Sequence, residues 1–142
     1  MAFTITEKQK LQLIQNGYTH LPNALPEHLL NRWRQIADRL EQEALIAFQQ
    51  GKPRHGACVV DYAGTPHLIR QDDLLHEEMD AVLDLLSCPA MMAIAREMCG
   101  RGAVPLQVDL LYKHPHSQSI VQWHQDAPPP QESPLCKYRY IS

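Results

Sequence analysis

The feature that most constrains the fold is a long amphipathic segment between Pro26 and Gly51. Its apolar side chains recur every three or four residues, which is the spacing of one helix face. They are Leu29, Trp33, Ile36, Leu40, Ala44 and Phe48. Pro26 suits the first position of a helix and Gly51 suits its end. Because one continuous apolar stripe has to be buried, we predict a long helix that covers a sheet; pairing in a coiled coil is the alternative.

Local signals predict a first helix and a short strand before this segment. Thr4 and Thr6 each have a Glu or Gln three residues later, so either residue can form a capping box. Gly17 suits the left-handed position that ends a helix. Tyr18–Leu21 is then predicted to be a short strand that Pro22 closes.

Two further helices are predicted between residues 72 and 100. One of the aspartates at positions 72 and 73 can cap a third helix that runs through Leu86. Pro89 then begins a fourth helix over Ala90–Cys99, which Gly100 ends. Its methionines are expected to pack in the core rather than to form a cofactor site; they are Met91, Met92 and Met98.

Strand-like sequence is concentrated after residue 103. Between Val104 and Lys113, apolar residues alternate with Gln107, Asp109 and Lys113, which predicts a strand. Two shorter strand-like runs precede it, at Ala57–Tyr62 and His67–Ile69. We therefore predict one α+β domain over residues 1–142, with residues 1–100 mainly helical, strands over 103–126 and an irregular tail over 127–142.

Composition bears on partners and compartment. The net charge is −3 and the isoelectric point is near 6.2, and no run of Lys and Arg is present, so nucleic acid is not an expected partner. No segment has the apolar length of a membrane span, and the N-terminus lacks the layout of a signal peptide. The 4 cysteines show no C-x-x-C spacing and are predicted to be free thiols. Cytoplasmic localisation is the expectation.

The residues that point to chemistry lie in the predicted strand Ser119–Asp126. Successive side chains of a strand point to opposite faces, so His124 and Asp126 share a face while Trp123 lies on the other. An imidazole and a carboxylate in this arrangement can bind one cation. They supply two of the three protein ligands of a 2-His-1-carboxylate iron site. The alternative for such a short motif is a hydrogen-bonded structural pair.

The order of these features resembles the phytanoyl-CoA dioxygenase family of Fe(II)- and 2-oxoglutarate-dependent oxygenases. The resemblance lies in an entry segment, a strand that ends in Lys-x-Pro, and a Trp-His-Gln-Asp strand. These stretches are Ile5–Gln9 with Asn16–Tyr18 and Leu21–Leu25, then Leu110–Pro115, then Val121–Asp126.

This resemblance implies a double-stranded β-helix of the cupin or jelly-roll kind, with the N-terminal helices packed against it. It implies iron ligation by His124, Asp126 and a second, more distant histidine, and binding of 2-oxoglutarate as cosubstrate. It also implies that Lys113 contributes to the cosubstrate pocket, with a surface lysine as the alternative. A small-molecule substrate is expected.

No histidine follows Asp126, and Arg139 is too close to Asp126 to be the basic anchor that the family implies. The chain is therefore expected to be a truncated N-terminal half with an incomplete β-helix, inactive by itself, and to dimerise through open sheet edges. The alternatives are a non-catalytic binding or assembly module and, less favoured, a His/Asp metal hydrolase. His114 and His116 are candidates for the missing ligand, but we predict that they are solvent-exposed.

Overall fold

The computed structural model describes residues 3–100, 102, 104 and 107–115, and these residues form an α+β fold. The first two helices precede a β-hairpin, three shorter helices follow the hairpin, and a short third strand comes last. The helices are α1 (Glu7–Asn16), α2 (Glu27–Gln49), α3 (Leu74–Glu77), α4 (Met79–Ser87) and α5 (Pro89–Cys99). The strands are β1 (Ala57–Tyr62), β2 (Thr65–Gln71) and β3 (Leu110–Leu111).

The ends of α1 and the position of α5 confirm the signals in the sequence. Thr6 forms a capping box with Gln9: each residue's side chain accepts a hydrogen bond from the other's backbone N–H. Gly17 follows α1 with φ +76, the left-handed conformation in which a Cβ would be strained. Pro89 is the first residue of α5, and Gly100 ends that helix.

The long helix α2 also confirms its prediction. Leu29, Ile36, Leu40 and Ala44 are buried along one face, whereas Phe48 at the end of the stripe is 38% exposed. Leu40 is completely buried, and burial of a leucine side chain stabilises a fold by about 1.5–3 kcal/mol. The helix contacts both strands of the hairpin, so the stripe covers a sheet as expected.

Two hydrophobic clusters form the core of the described residues. The first joins α2 to α3 and α4 and also receives Val108 and Leu110; its buried members are Ile36, Leu40, Leu74, Ala81 and Val82. The second joins the start of α2 to α5, through Leu29, Cys88 and Ala90. The helices are therefore packed on one another as well as on the sheet.

The described strands form an antiparallel sheet in the order β1-β2-β3. Ala63 and Gly64 connect β1 to β2, with φ angles of +53 and +85. The register pairs Cys58 with Arg70 and Val59 with Leu68, so Ile69 is an extra residue in β2. Such a β-bulge bends the strand and reorients the groups beside it.

Two secondary-structure predictions in the N-terminal two-thirds of the chain are wrong. Tyr18–Leu21 is not a strand, and Tyr18 is 71% exposed. The third helix is not continuous, because Glu78, with φ −122 and ψ +36, separates α3 from α4. Both helices bury side chains in the first cluster, Leu74 from α3 and Val82 from α4.

The third strand is much shorter than the predicted 104–113. Leu110 pairs with Gln71 and Leu111 with Arg70, and Gln71 is the last residue of β2. The chain just before Leu110 therefore runs past the end of its partner strand. There, the carbonyl of Val108 accepts a 3.1 Å hydrogen bond from the backbone N–H of Leu74.

The methionines of α5 differ in their burial. Met91 packs against the second cluster as expected, but Met92 is 40% exposed, contrary to its prediction; the side chain of Met98 lies outside the described part.

Cys58 and Cys88 are free thiols. In the part of the chain that the structure describes, no helix combines the length and the apolar character needed to cross a membrane.

Candidate functional site

The described part of the candidate site directly follows β3, where Lys113 lies between Tyr112 and His114. Lys113 is exposed, whereas Tyr112 and His114 are partly buried. The same alternation holds one step earlier, because Leu110 packs on the core and Leu111 is 79% exposed. Tyr112 and His114 therefore lie towards the interior, and Lys113 projects away from it.

Tyr112 joins β3 to the long helix and to the bulged strand. Its hydroxyl donates a 2.9 Å hydrogen bond to the carbonyl oxygen of Ala37 in α2. Its backbone N–H donates to the carbonyl oxygen of Ile69, the extra residue of the bulge, at 3.0 Å. Burial, together with the negative charges of Glu41 and Asp38, raises the pKa of Tyr112 to about 12. The phenol therefore stays protonated and able to donate at neutral pH.

His114 is also held, so the prediction that it is solvent-exposed is wrong. Its Nε2 lies 3.0 Å from the carbonyl oxygen of Leu68 and 3.3 Å from Oε1 of Glu41. Because a carbonyl can only accept, Nε2 carries a hydrogen and donates. The prediction was based on the adjacent Pro115. It left out that His114 and Tyr112 are two residues apart, so their side chains lie on the same side of an extended chain.

Aromatic rings lie next to the imidazole of His114. The imidazoles of His67 and His114 have their centroids 4.9 Å apart, and Tyr62 lies 5.8 Å from His67. Tyr112 and His114 are stacked at 6.4 Å with an interplanar angle of 12°. No local pattern distinguishes His67 from the other scattered histidines, and Glu41 carries no such signal either, so neither residue was predicted to lie here.

The predicted metal ligands His124 and Asp126 lie outside the described residues, as do His116 and the predicted strand Ser119–Asp126. Within residues 3–100, 102, 104 and 107–115, no group of three or more His, Cys, Asp or Glu side chains could hold a metal ion. Of the sequence-predicted site residues, the structure therefore places Lys113. His124 and Asp126 remain predictions.

The sequence matches a known protein family over most of its length. The model of the family described as phytanoyl-CoA dioxygenase matches residues 13–134. The chain belongs to the phytanoyl-CoA dioxygenase family. The match spans most of the chain and includes Lys113 as well as His124 and Asp126. No curated protein and no solved structure matches the chain.

Membership of the phytanoyl-CoA dioxygenase family gives the chemistry at a general level. The family is one of oxygenases that generally depend on Fe(II) and 2-oxoglutarate. An imidazole and a carboxylate two residues apart are suitable donors for Fe(II), and an exposed ammonium group suits a carboxylate ligand. The donor types at His124, Asp126 and Lys113 therefore fit the metal and cosubstrate that the family uses.

Proposed function

We propose that this chain contributes the iron site of an Fe(II)- and 2-oxoglutarate-dependent oxygenase that hydroxylates a small molecule. The observation that carries this proposal is the family match over residues 13–134, which contains both proposed iron ligands and the proposed cosubstrate contact. His124 and Asp126 bind the iron, and Lys113 contacts a carboxylate of 2-oxoglutarate. The fold that holds them is a double-stranded β-helix, to which β1, β2 and β3 contribute.

When bound, iron and 2-oxoglutarate would supply the oxidising chemistry: dioxygen is the oxidant, the cosubstrate is decarboxylated to succinate and carbon dioxide, and a C–H bond of the substrate is hydroxylated. The chain's own residues orient these groups. We expect His124 and Asp126 to project from one face of the predicted strand Ser119–Asp126 and to offer a nitrogen and an oxygen to one cation. Lys113 offers an ammonium group from a strand end whose neighbours are fixed by hydrogen bonds.

We expect the metal affinity of the 142-residue chain to depend on how many protein ligands it supplies. A facial triad needs two histidines and one carboxylate, and His124 and Asp126 supply two of these three. Loss of even an outer-shell partner typically costs about 10–100-fold in metal affinity or activity, so a missing ligand costs more. We therefore expect the chain by itself to bind Fe(II) or Ni(II) weakly and to form no succinate.

The test is calorimetric titration of the purified chain with Ni(II), together with a succinate assay in Fe(II), 2-oxoglutarate and ascorbate. We expect His124→Ala to abolish metal binding and His116→Ala, the matched histidine control, to leave it nearly unchanged. Equal loss in both variants would contradict the assignment of His124. Succinate formation that disappears in His124→Ala would show that another residue or a partner subunit completes the site.

The alternative, a non-catalytic binding or assembly module, predicts a different result. Metal binding would then be absent from the unmodified chain, and neither histidine substitution would have an effect. The two functions are therefore separated by the first titration, before any substrate is known.

A further inference from the structure

Helix α2 holds the residues on both sides of Lys113, and it does so with one turn of its surface. The hydroxyl of Tyr112 reaches the carbonyl of Ala37, and Nε2 of His114 reaches the carboxylate of Glu41. Ala37 and Glu41 are four residues apart, so they lie one above the other on the same helix face. Tyr112 and His114 are two residues apart, which is the repeat of an extended chain.

The same two residues are also attached to β2. The backbone N–H of Tyr112 donates to Ile69, and the imidazole of His114 donates to Leu68, each at 3.0 Å. These acceptors are adjacent carbonyls at the bulge, where strand geometry departs from regular pairing. Each neighbour of Lys113 is therefore fixed to a helix and to a strand at once.

The consequence for Lys113 follows from alternation along the chain. With Tyr112 and His114 both bound on the α2 side, the side chain between them has to project to the opposite side. Lys113 is exposed, in agreement with this direction. A long, flexible ammonium side chain has considerable rotamer freedom, so a fixed backbone at its base limits the volume that the charge explores.

We propose that Tyr112, His114 and Glu41 are positioning residues that direct Lys113 towards the carboxylate of 2-oxoglutarate. This inference rests on the proposed function, because it uses Lys113 as the cosubstrate contact. We refer to the three residues as the α2 clamp. They act through the backbone of residues 112–114 and do not themselves contact the cosubstrate.

The probe is the resonance of dimethylated Lys113 in the full chain, because reductive ¹³C-methylation retains the positive charge. The signal is assigned with Lys113→Arg, which separates it from those of Lys8, Lys10, Lys52 and Lys137. Because the chain by itself is expected to bind metal weakly, 2-oxoglutarate is titrated at a Zn(II) concentration that a prior metal titration shows to saturate the chain, with Zn(II) as a diamagnetic substitute for iron. We expect the Lys113 signal to shift, and the midpoint of that shift is the quantity compared between variants.

The clamp variants separate hydrogen bonding from ring packing. His114→Phe keeps a ring but removes the donor, and we expect it to raise the 2-oxoglutarate midpoint about five-fold, the effect of losing one typical hydrogen bond. His114→Gln retains a side-chain N–H donor and should restore much of the loss. Glu41→Gln is the milder variant, because it leaves the bond between His114 and Leu68 in place.

Arg32→Gln is the matched control. Arg32 also lies on α2, nine residues before Glu41. It forms an ion pair with Asp84 of α4 and is not a member of the clamp. We expect its midpoint for 2-oxoglutarate to equal that of the unmodified chain. Urea unfolding of every variant shows whether the protein is still folded when its 2-oxoglutarate midpoint changes.

Three results would overturn the inference in distinguishable ways. An unchanged midpoint in folded His114→Phe and Glu41→Gln would show that the α2 clamp does not position Lys113. An equal change in Arg32→Gln would show a general effect of destabilising α2. Absence of any Lys113 shift in the unmodified chain would overturn the cosubstrate contact itself, and with it that part of the proposed function.

Discussion

The hydroxyl of Tyr112 donates a 2.9 Å hydrogen bond to the carbonyl oxygen of Ala37, a residue 75 positions earlier in the chain. This bond joins the last described strand to the middle of α2. It depends on the protonated phenol, because a phenolate has no hydrogen to donate. Burial and the nearby carboxylates of Glu41 and Asp38 favour that protonated form.

Tyr112→Phe is therefore expected to change both the stability and its pH dependence. At about pH 8 the variant should lose about 1 kcal/mol of unfolding free energy, the contribution of one typical hydrogen bond. The pKa of Tyr112 is about 12 in the folded chain and 10.0 when unperturbed. A group with a raised folded pKa stabilises the fold below its unfolded pKa, and this contribution is lost as pH rises from 10.0 towards about 12.

The measurement is urea unfolding of both proteins at about pH 8 and about pH 11. The advantage of the unmodified chain over Tyr112→Phe should shrink at the higher pH, since phenylalanine has no proton to lose. Tyr18→Phe is the control, because Tyr18 is 71% exposed and should show no difference at either pH. A difference that stays constant with pH would contradict the role given to the protonated phenol.

Gly56→Ala is expected to destabilise the fold for two separable reasons. Gly56 has φ +71, and an alanine Cβ there would lie 2.7 Å from Nε2 of Gln71 and 2.8 Å from the carbonyl oxygen of Asp72. Gln71 is completely buried and donates to His55 and Asp72, so it has little freedom to move. The left-handed backbone costs about 1–2 kcal/mol, and the overpacking adds about 1–3 kcal/mol.

Gly51→Ala isolates the backbone contribution. Gly51 has φ +68, almost the same as Gly56, but no atom lies within 4 Å of the position that an alanine Cβ would take there. Chemical denaturation of the two variants should therefore show the larger loss for Gly56→Ala. Equal losses would mean that Gln71 and Asp72 adjust without cost.

Some parts of the fold could be predicted from local sequence signals, and others could not. Capping signals act within three or four residues, so the sequence limited the cap of α1 to Thr4 or Thr6 and located the start of α5 at Pro89. The apolar stripe of α2 has a period that a window of sequence contains. The extra residue Ile69 in β2 had no such signal, because a bulge is defined by its partner strand.

The candidate site was readable only in part, for the same reason. Lys113 was a candidate from the resemblance, and the structure shows that it is exposed. The attachments of Tyr112 to Ala37 and of His114 to Leu68 and Glu41 join distant segments, and no local pattern indicates them. The predicted strand Tyr18–Leu21 was wrong because strand-like residues form a strand only where a partner strand is available.

Ala63→Asn is expected to stabilise the β1-β2 hairpin. Ala63 has φ +53 in a two-residue loop with Gly64, and Asn-Gly is the preferred sequence for turns in which both residues have positive φ. The gain should be about 0.5–1 kcal/mol in unfolding free energy. Ala63→Val, which places a β-branched side chain at the same angle, should destabilise the chain. A thermal scan that ranks the variants otherwise would contradict this account of the turn.

The last prediction concerns self-association through β3. Among the described residues this strand pairs with β2 alone, and its outward side chain, Leu111, is 79% exposed. An edge strand with an exposed apolar residue presents backbone N–H and C=O groups that can pair with a second copy of the chain, whereas a lysine at the edge opposes that pairing. We therefore expect a dimer whose population rises with concentration in light scattering, and we expect Leu111→Lys to reduce it.

Ile14→Lys is the matched control for this substitution, since Ile14 is 77% exposed but lies on α1. If β3 forms the contact, Ile14→Lys should leave the dimer population unchanged at every concentration. If both lysine variants reduce dimerisation equally, the effect is one of net charge, because each adds one positive charge to the chain. A monomer at all concentrations of the unmodified chain would contradict edge pairing, since that pairing requires no feature beyond the strand edge itself.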